Sequence, residues 1–197
     1  MNVTIFDYTV GNVHSLATAF SHVGADVKIE TKLSNLDSTD VFVLPGVGSF
    51  APAVEAIEPY REMILEYIEN GNNTIGVCLG MQLFFDESQE GPGNGLGIFP
   101  GSVDKIASKR VPHMGWNEIV GDEILLSKSG LSKAYYANSY ICNPNDKNII
   151  SATTEHDGVN FPAIVRNKNV VGVQFHPEKS SSFGLKFLKT YLEEISK

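Results

Sequence analysis

Only two cysteines, Cys78 and Cys142, occur in 197 residues. That is too few for a disulfide scaffold, and a chain of this length with 42% hydrophobic residues can bury a core without one. Basic residues are also scarce: 15 Lys and Arg stand against 23 Asp and Glu, a formal charge of −8. Nucleic acid and anionic membrane surfaces reward clustered cations, so neither is expected as the main partner. No apolar run approaches the roughly 18 residues of a membrane-crossing helix. The opening "MNVTIFDY" lacks the basic and apolar regions of a secretory signal, and a cytoplasmic, thiol-reducing environment is the expectation. The five histidines and two cysteines show no metal-ligand spacing, so no metal or other cofactor is expected. Internal repeats, low-complexity tracts and linkers are missing too, and residues 1–197 read as a single domain.

What is present is strand–helix alternation. Residues 2–6, "NVTIF", read as a buried strand. Val13, Leu16, Ala17 and Phe20 then share one helical face, with Asn12 as N-cap and Gly24 as stop. "DVKIE" and "DVFVLP" are further strands, the second apolar throughout as in the interior of a parallel sheet. A helical stretch from about 53 to 69 breaks near Pro59. "TIGVC" is the next strand, and residues 79–86 begin a helix. In the second half, "SVDKIA", "WNEIV", "EILL", "AYYANSYIC", "IISATTE", "PAIVRN" and "VVGVQF" read as short strands between turns. A last helix runs from Phe183 to Ile195, with Phe183, Phe187, Leu188 and Tyr191 on one side. "EGPGNGLG" reads as a mobile loop that follows no strand. This order predicts one α/β domain whose back half is richer in strands.

Cys78 sits in Gly76-Val77-Cys78-Leu79-Gly80, directly after a strand. A buried structural cysteine needs no glycines around it, whereas a nucleophile on a tight turn does. G-x-C-x-G is the thiol version of the nucleophile elbow. Its glycines tolerate the turn and leave room for neighbouring backbone. The N–H of Leu79 points toward the same space as the sulfur, and the helix beginning there favours thiolate. The same pattern also fits a small buried apolar side chain.

A thiol nucleophile needs a base, and the base an orienting group. His14 and His22 fall on the first helix as solvated residues, and His156 lies in a polar turn, "TEHDGV". His176 ends an apolar strand and is followed by Pro177 and Glu178. Residues two apart in extended chain share a side, so the carboxylate can hold one imidazole nitrogen. Open α/β sheets place ligands beyond the carboxyl ends of their strands, where Cys78 also lies. Read alone, "HPE" also fits a polar exit turn. A second glycine-rich segment, "LPGVGSF", follows a buried strand and can turn its peptide N–H groups toward an anion. It lacks the Lys-Ser/Thr of a phosphate loop.

Together these residues resemble the class I glutamine amidotransferases, which carry a cysteine in G-x-C-x-G-x-Q and a His-Glu pair in H-P-E. "DYTVGN", "PGVGSF", "GVCLGMQLFF", "VPHMGWN" and "VQFHPEKSS" resemble, more narrowly, the glutaminase subunits of imidazole glycerol phosphate synthase in histidine biosynthesis. The matches run in order from residue 7 to residue 182. The resemblance implies a three-layer domain with a mixed, mostly parallel central sheet flanked by helices. It implies hydrolysis of L-glutamine to glutamate and ammonia by a Cys78-His176-Glu178 triad through a γ-glutamyl thioester. Leu79 and Val47 would donate to the oxyanion, and Gly48, Gln82, Glu90, Ser139 and Tyr140 would hold the substrate. Glu90 suits the ammonium group but also fits an exposed loop acid, and Tyr140 also fits a core tyrosine. The implied partner is a (β/α)₈-barrel cyclase, bound as a heterodimer and supplied with ammonia. Asn12, His113, Trp116 and Lys179 are the implied docking residues, although Trp116 taken alone fits a core tryptophan equally well. Asn138 stands where the family usually has His, and Ser49 where a smaller residue is frequent. A relative serving another amidating synthase, a silent regulatory subunit, and a cysteine peptidase or γ-glutamyl hydrolase are the competing readings.

Overall fold

The apolar segments of the first half build the centre of an eight-stranded sheet. The computed structural model describes residues 1–8, 13–46 and 48–197; Asn12, read above as a helix cap, lies outside them. Strands β1 (Asn2–Phe6), β2 (Asp26–Glu30), β3 (Val41–Leu44) and β4 (Asn73–Val77) run parallel in the order β2-β1-β3-β4. A fifth parallel strand, β13 (Val170–Val173), pairs with β4 although it lies far along the chain. Antiparallel strands β12 (Val159–Asn167), β11 (Ile150–His156) and β8 (Val120–Gly121) extend that edge.

Alternation along the inner strands feeds two cores. Val41 and Val43 of β3 face one side, Phe42 and Leu44 the other, and all four are fully buried. Helices α1 (His14–His22), α5 (Ile124–Ser129) and α6 (Ser181–Ile195) cover the first face through Leu16, Phe20, Leu125, Phe187 and Leu188. Helices α2 (Phe50–Ile57), α3 (Arg61–Glu69) and α4 (Leu79–Gln82) cover the second through Phe50, Ile57, Ile64 and Met81. Burying one such side chain is worth about 1.5–3 kcal/mol, so the strands hold their register by which residues they turn to each face. The result is the expected three-layer α/β architecture with a mixed sheet.

Several local expectations change. "EILL" is helical: the Glu123 side chain caps α5 by accepting from Leu125 N, and Gly130 ends it at φ 71°. Three consecutive apolar residues carry no usable period, so the caps decide. "WNEIV" is divided between β7 (His113–Glu118) and β8, and "AYYANSYIC" between β9 (Lys133–Asn138) and β10 (Tyr140–Pro144). β7 pairs with β9, while β10 joins β6 (Gly101–Lys105) and β5 (Glu87–Ser88) in a three-stranded sheet. The helix expected over 79–86 is a single turn. Phe183 is exposed rather than packed with Phe187 and Leu188. "EGPGNGLG" starts soon after β5 and is tied down: Gly95 N donates to Asp86 O, and the Arg61 guanidinium donates to the carbonyls of Asn94 and Gly95. Among the described residues, no helix is long and apolar enough to cross a membrane.

Candidate active site

Neighbouring strands β3, β4 and β13 end at the same edge of the sheet. Leu44 pairs with Gly76 and Val77 with Val173, and Cys78 N donates to Val173 O at 2.7 Å. The loop after Leu44, the thiol after Val77 and the segment after Val173 therefore emerge side by side. Cys78 has φ 49° and ψ −104°. An L side chain adopts such a conformation at a cost of about 1–3 kcal/mol, and it persists only where the surroundings enforce it. The cysteine itself thus takes the turn that the sequence reading gave to its glycines. Gly76 and Gly80 serve close packing instead: a Cβ on Gly80 would lie 1.9 Å from Leu44 O, and one on Gly76 2.5 Å from the Gly80 carbonyl. With no side chains between them, α4 is pressed onto β3 and β4 and Cys78 is aimed across the strand ends.

His176 Nδ1 lies 2.8 Å from Glu178 Oε1, both side chains nearly buried. A carboxylate only accepts, so Nδ1 carries the proton and Nε2 is left for Cys78. Burial works to lower the His176 pKa. The charge of Cys78 and a hydrogen bond with it, then the same two interactions with Glu178, outweigh burial and push it up to about 10. The imidazole is therefore held protonated beside the sulfur. Ser180 fixes the backbone here, its Oγ donating to His176 O and accepting from Tyr135 N, while His176 N donates to Tyr135 O. Ser180 stands in the quoted "VQFHPEKSS", but its role is not legible there, because its partner Tyr135 comes from a distant strand.

The other expected site residues surround this centre unevenly. Leu79 is the first residue of α4, so its N–H has no acceptor within the helix and is free to donate. One helical turn carries little dipole, which leaves His176 as the main source of positive charge at the sulfur. Gly48 adopts φ 98°, and Val47 lies outside the described residues. Glu90 accepts from Phe50 N at 2.9 Å and so caps α2, a place where the Ser49 side chain makes no cap bond. A carboxylate has further acceptor sites for a ligand ammonium. Gln82 is buried and donates to Tyr140 O. Ser139 and Tyr140 are half-buried, the tyrosine packed against the second core. Asn138 also donates to Tyr140 O, at 3.0 Å.

Of the expected docking residues, Asn12 lies outside the described residues and Lys179 is exposed. Trp116 is 55% exposed and its neighbour Met114 64%, on the outward face of β7, with Trp116 edge-on to Tyr135. The core reading of Trp116 is thereby set aside. His113 alternates to the inner face, buried and stacked between Tyr136 and His156; burial first, then the His156 charge, hold its pKa down to about 4. It supports the face from beneath and presents no ring to a partner. Among the described residues, no cluster of His, Cys, Asp or Glu is arranged to hold a metal. A surface concavity of about 840 Å³ beside Val54, Glu58 and Arg61 is lined by none of the expected catalytic, substrate-binding or docking residues.

The family "Glutamine amidotransferase class-I" matches residues 4–194. The chain is 43% identical to imidazole glycerol phosphate synthase subunit HisH of Saccharolobus solfataricus over 195 residues, 96% of both chains. It is 42% identical to the chloroplastic imidazole glycerol phosphate synthase hisHF of Arabidopsis thaliana, matching 96% of this chain and 34% of that longer one. The PurLQS structure from Thermotoga maritima superimposes with a TM-score of 0.80 at 17% identity, covering 98% of each chain, which bears on the fold alone. With a thiol, an imidazole and a carboxylate converging at the strand ends and the match running through almost all of its length, this chain belongs to the class I glutamine amidotransferases and is an enzyme of that family.

Proposed function

We propose that residues 1–197 act as one glutaminase domain that hydrolyses L-glutamine and supplies the ammonia to a cyclase partner of the histidine pathway. Cys78 Sγ attacks the side-chain amide carbon. The protonated His176 gives its proton to the departing nitrogen, so that ammonia leaves and a γ-glutamyl thioester remains. Water then attacks the thioester with His176 as base, releasing glutamate and the thiolate. Glu178 holds Nδ1 and thereby the useful tautomer. The N–H groups of Leu79 and Val47 stabilise the oxyanions, an interaction worth about 10²–10³ in rate per donor. Gly48, Gln82, Glu90, Ser139 and Tyr140 hold the rest of glutamine. The observation that carries this reading is the Glu178–His176 contact at 2.8 Å, with the imidazole held protonated against Cys78.

The partner is a (β/α)₈-barrel cyclase, docked as a heterodimer through Trp116, Met114 and Lys179, with Asn12, outside the described residues, as a further docking residue. The relatives' names support this assignment, and a hisHF protein much longer than its matching segment has room for a second component. The reaction takes place in the cytoplasm. The test is glutamate release, with and without the cyclase and its nucleotide ligand, by the native chain and Cys78→Ala. The expected result is cyclase-stimulated release that Cys78→Ala abolishes while still forming the complex. Glutaminase activity without glutamine-dependent turnover of the cyclase substrate would redirect the assignment to another amidating synthase.

A further inference from the structure

Gln174 is fully buried, one residue beyond the Val77–Val173 pairing and therefore level with Cys78 across the two strands. Its Nε2 lies 3.4 Å from Cys78 Sγ, and its Oε1 lies 3.4 Å from Gln82 Nε2, which donates in turn to Tyr140 O at 3.2 Å. The orientation of both amides follows from this chain. A backbone carbonyl can only accept, so Gln82 turns its NH₂ toward Tyr140. The same NH₂ faces Gln174, which must answer with its carbonyl oxygen. That leaves the Gln174 NH₂ directed at the sulfur. Burying an amide is costly unless both its ends are paired, and an apolar side chain of the same length would fill this space more cheaply. His176 also interacts with this sulfur, through charge and a hydrogen bond.

We propose that Gln174 is a positioning residue, whose side-chain N–H is a second donor to the Cys78 sulfur that steadies the thiolate at the angle from which it attacks. Gln82 and the Tyr140 carbonyl serve as its anchor. The geometry ties the substrate-binding side of the site to the nucleophile: a ligand that engages Gln82 acts on the amide that orients the sulfur. The proposal rests on Cys78 being the nucleophile, and its test reads the thiol directly.

Gln174→Met keeps the shape and removes the donor; Gln174→Glu keeps the shape and substitutes an acceptor. Alkylation of Cys78 by iodoacetamide is followed against pH by peptide mapping, which separates it from Cys142. That second thiol is fully buried and raised well above its ordinary range, by burial first and then by the nearby charges of Cys78 and Asp104. In Gln174→Met, alkylation near neutral pH is expected to slow about tenfold, the loss of one hydrogen bond to a charged group, with the pH profile displaced upward. The kcat for glutamine should fall by a similar factor while KM changes less than about twofold. Gln174→Glu should fall at least as far, and it decides the matter should the methionine variant not fold. Alkylation profiles that superimpose on the native one, in folded protein, overturn the proposal. So does a loss confined to KM, which would make Gln174 a substrate contact only. Full glutaminase activity in Cys78→Ala would instead overturn the assignment of the nucleophile.

Discussion

In Gly46→Ala the added Cβ would lie 2.8 Å from Cys78 Cβ, 2.8 Å from Val77 O and 3.0 Å from His176 Cε1. Ordinary contact begins near 3.4 Å, so the first two neighbours must each give 3.4 − 2.8 = 0.6 Å. Val77 O belongs to β4, which is paired on both sides and cannot move that far. The yielding groups are the Cys78 side chain and the His176 ring. Overpacking of this kind costs about 1–3 kcal/mol, and for a domain of this size each kcal/mol lowers Tm by about 2–4 °C. The fold should survive. Catalysis is more sensitive: a misplacement near 1 Å can cost about 10² in rate, so kcat should fall about 10- to 100-fold. Glutamate release coupled to glutamate dehydrogenase reads kcat, and a circular-dichroism melt reads Tm. A folded Gly46→Ala protein with kcat within about twofold of the native value would refute the idea that this glycine sets the thiol–imidazole geometry.

Three further sites carry testable consequences. Glu178→Gln should lower kcat by at least about 10²-fold, because the amide can present its NH₂ to Nδ1 and reverse the tautomer. The stability contributed by the Glu178–imidazolium pair is fully present below the ordinary histidine pKa of 6.5 and is lost as pH rises through about 10. The gap in urea stability between native and Glu178→Gln protein should therefore narrow across that window, and a gap that widens refutes the charge state assigned to His176. Trp116 is the chain's one tryptophan, so its emission should shift to the blue when the cyclase docks, and Trp116→Ala should weaken docking about tenfold or more. Unchanged emission in a formed complex would move the docking face elsewhere. Arg166→Met leaves the buried Glu123, now bonded to Arg166 Nη1 at 2.6 Å, without its cation, and should destabilise by about 3–5 kcal/mol in urea melts. A loss below about 1 kcal/mol would mean that Glu123 finds another partner.

Much of the site lay open in the chain because its chemistry is local. Cys78 stands between glycines two residues away on either side, and His176 and Glu178 are two apart, so short-range geometry alone brings the carboxylate to the ring. The central strands were equally plain, since β3 is buried on both faces and shows an unbroken apolar run. "EILL" reads as a strand but folds as a helix for a physical reason: the helix depends on the Glu123 and Gly130 caps rather than on its own period. Alternation along β7 separated His113 from Trp116, but which of them faces water depends on what packs beneath that strand. Gln174 was invisible for the strongest reason. It meets Cys78 across 96 residues, through the register that pairs β4 with β13. The amino-acid order specifies which residues can carry the chemistry; the pairing of distant strands decides which of them share one sulfur.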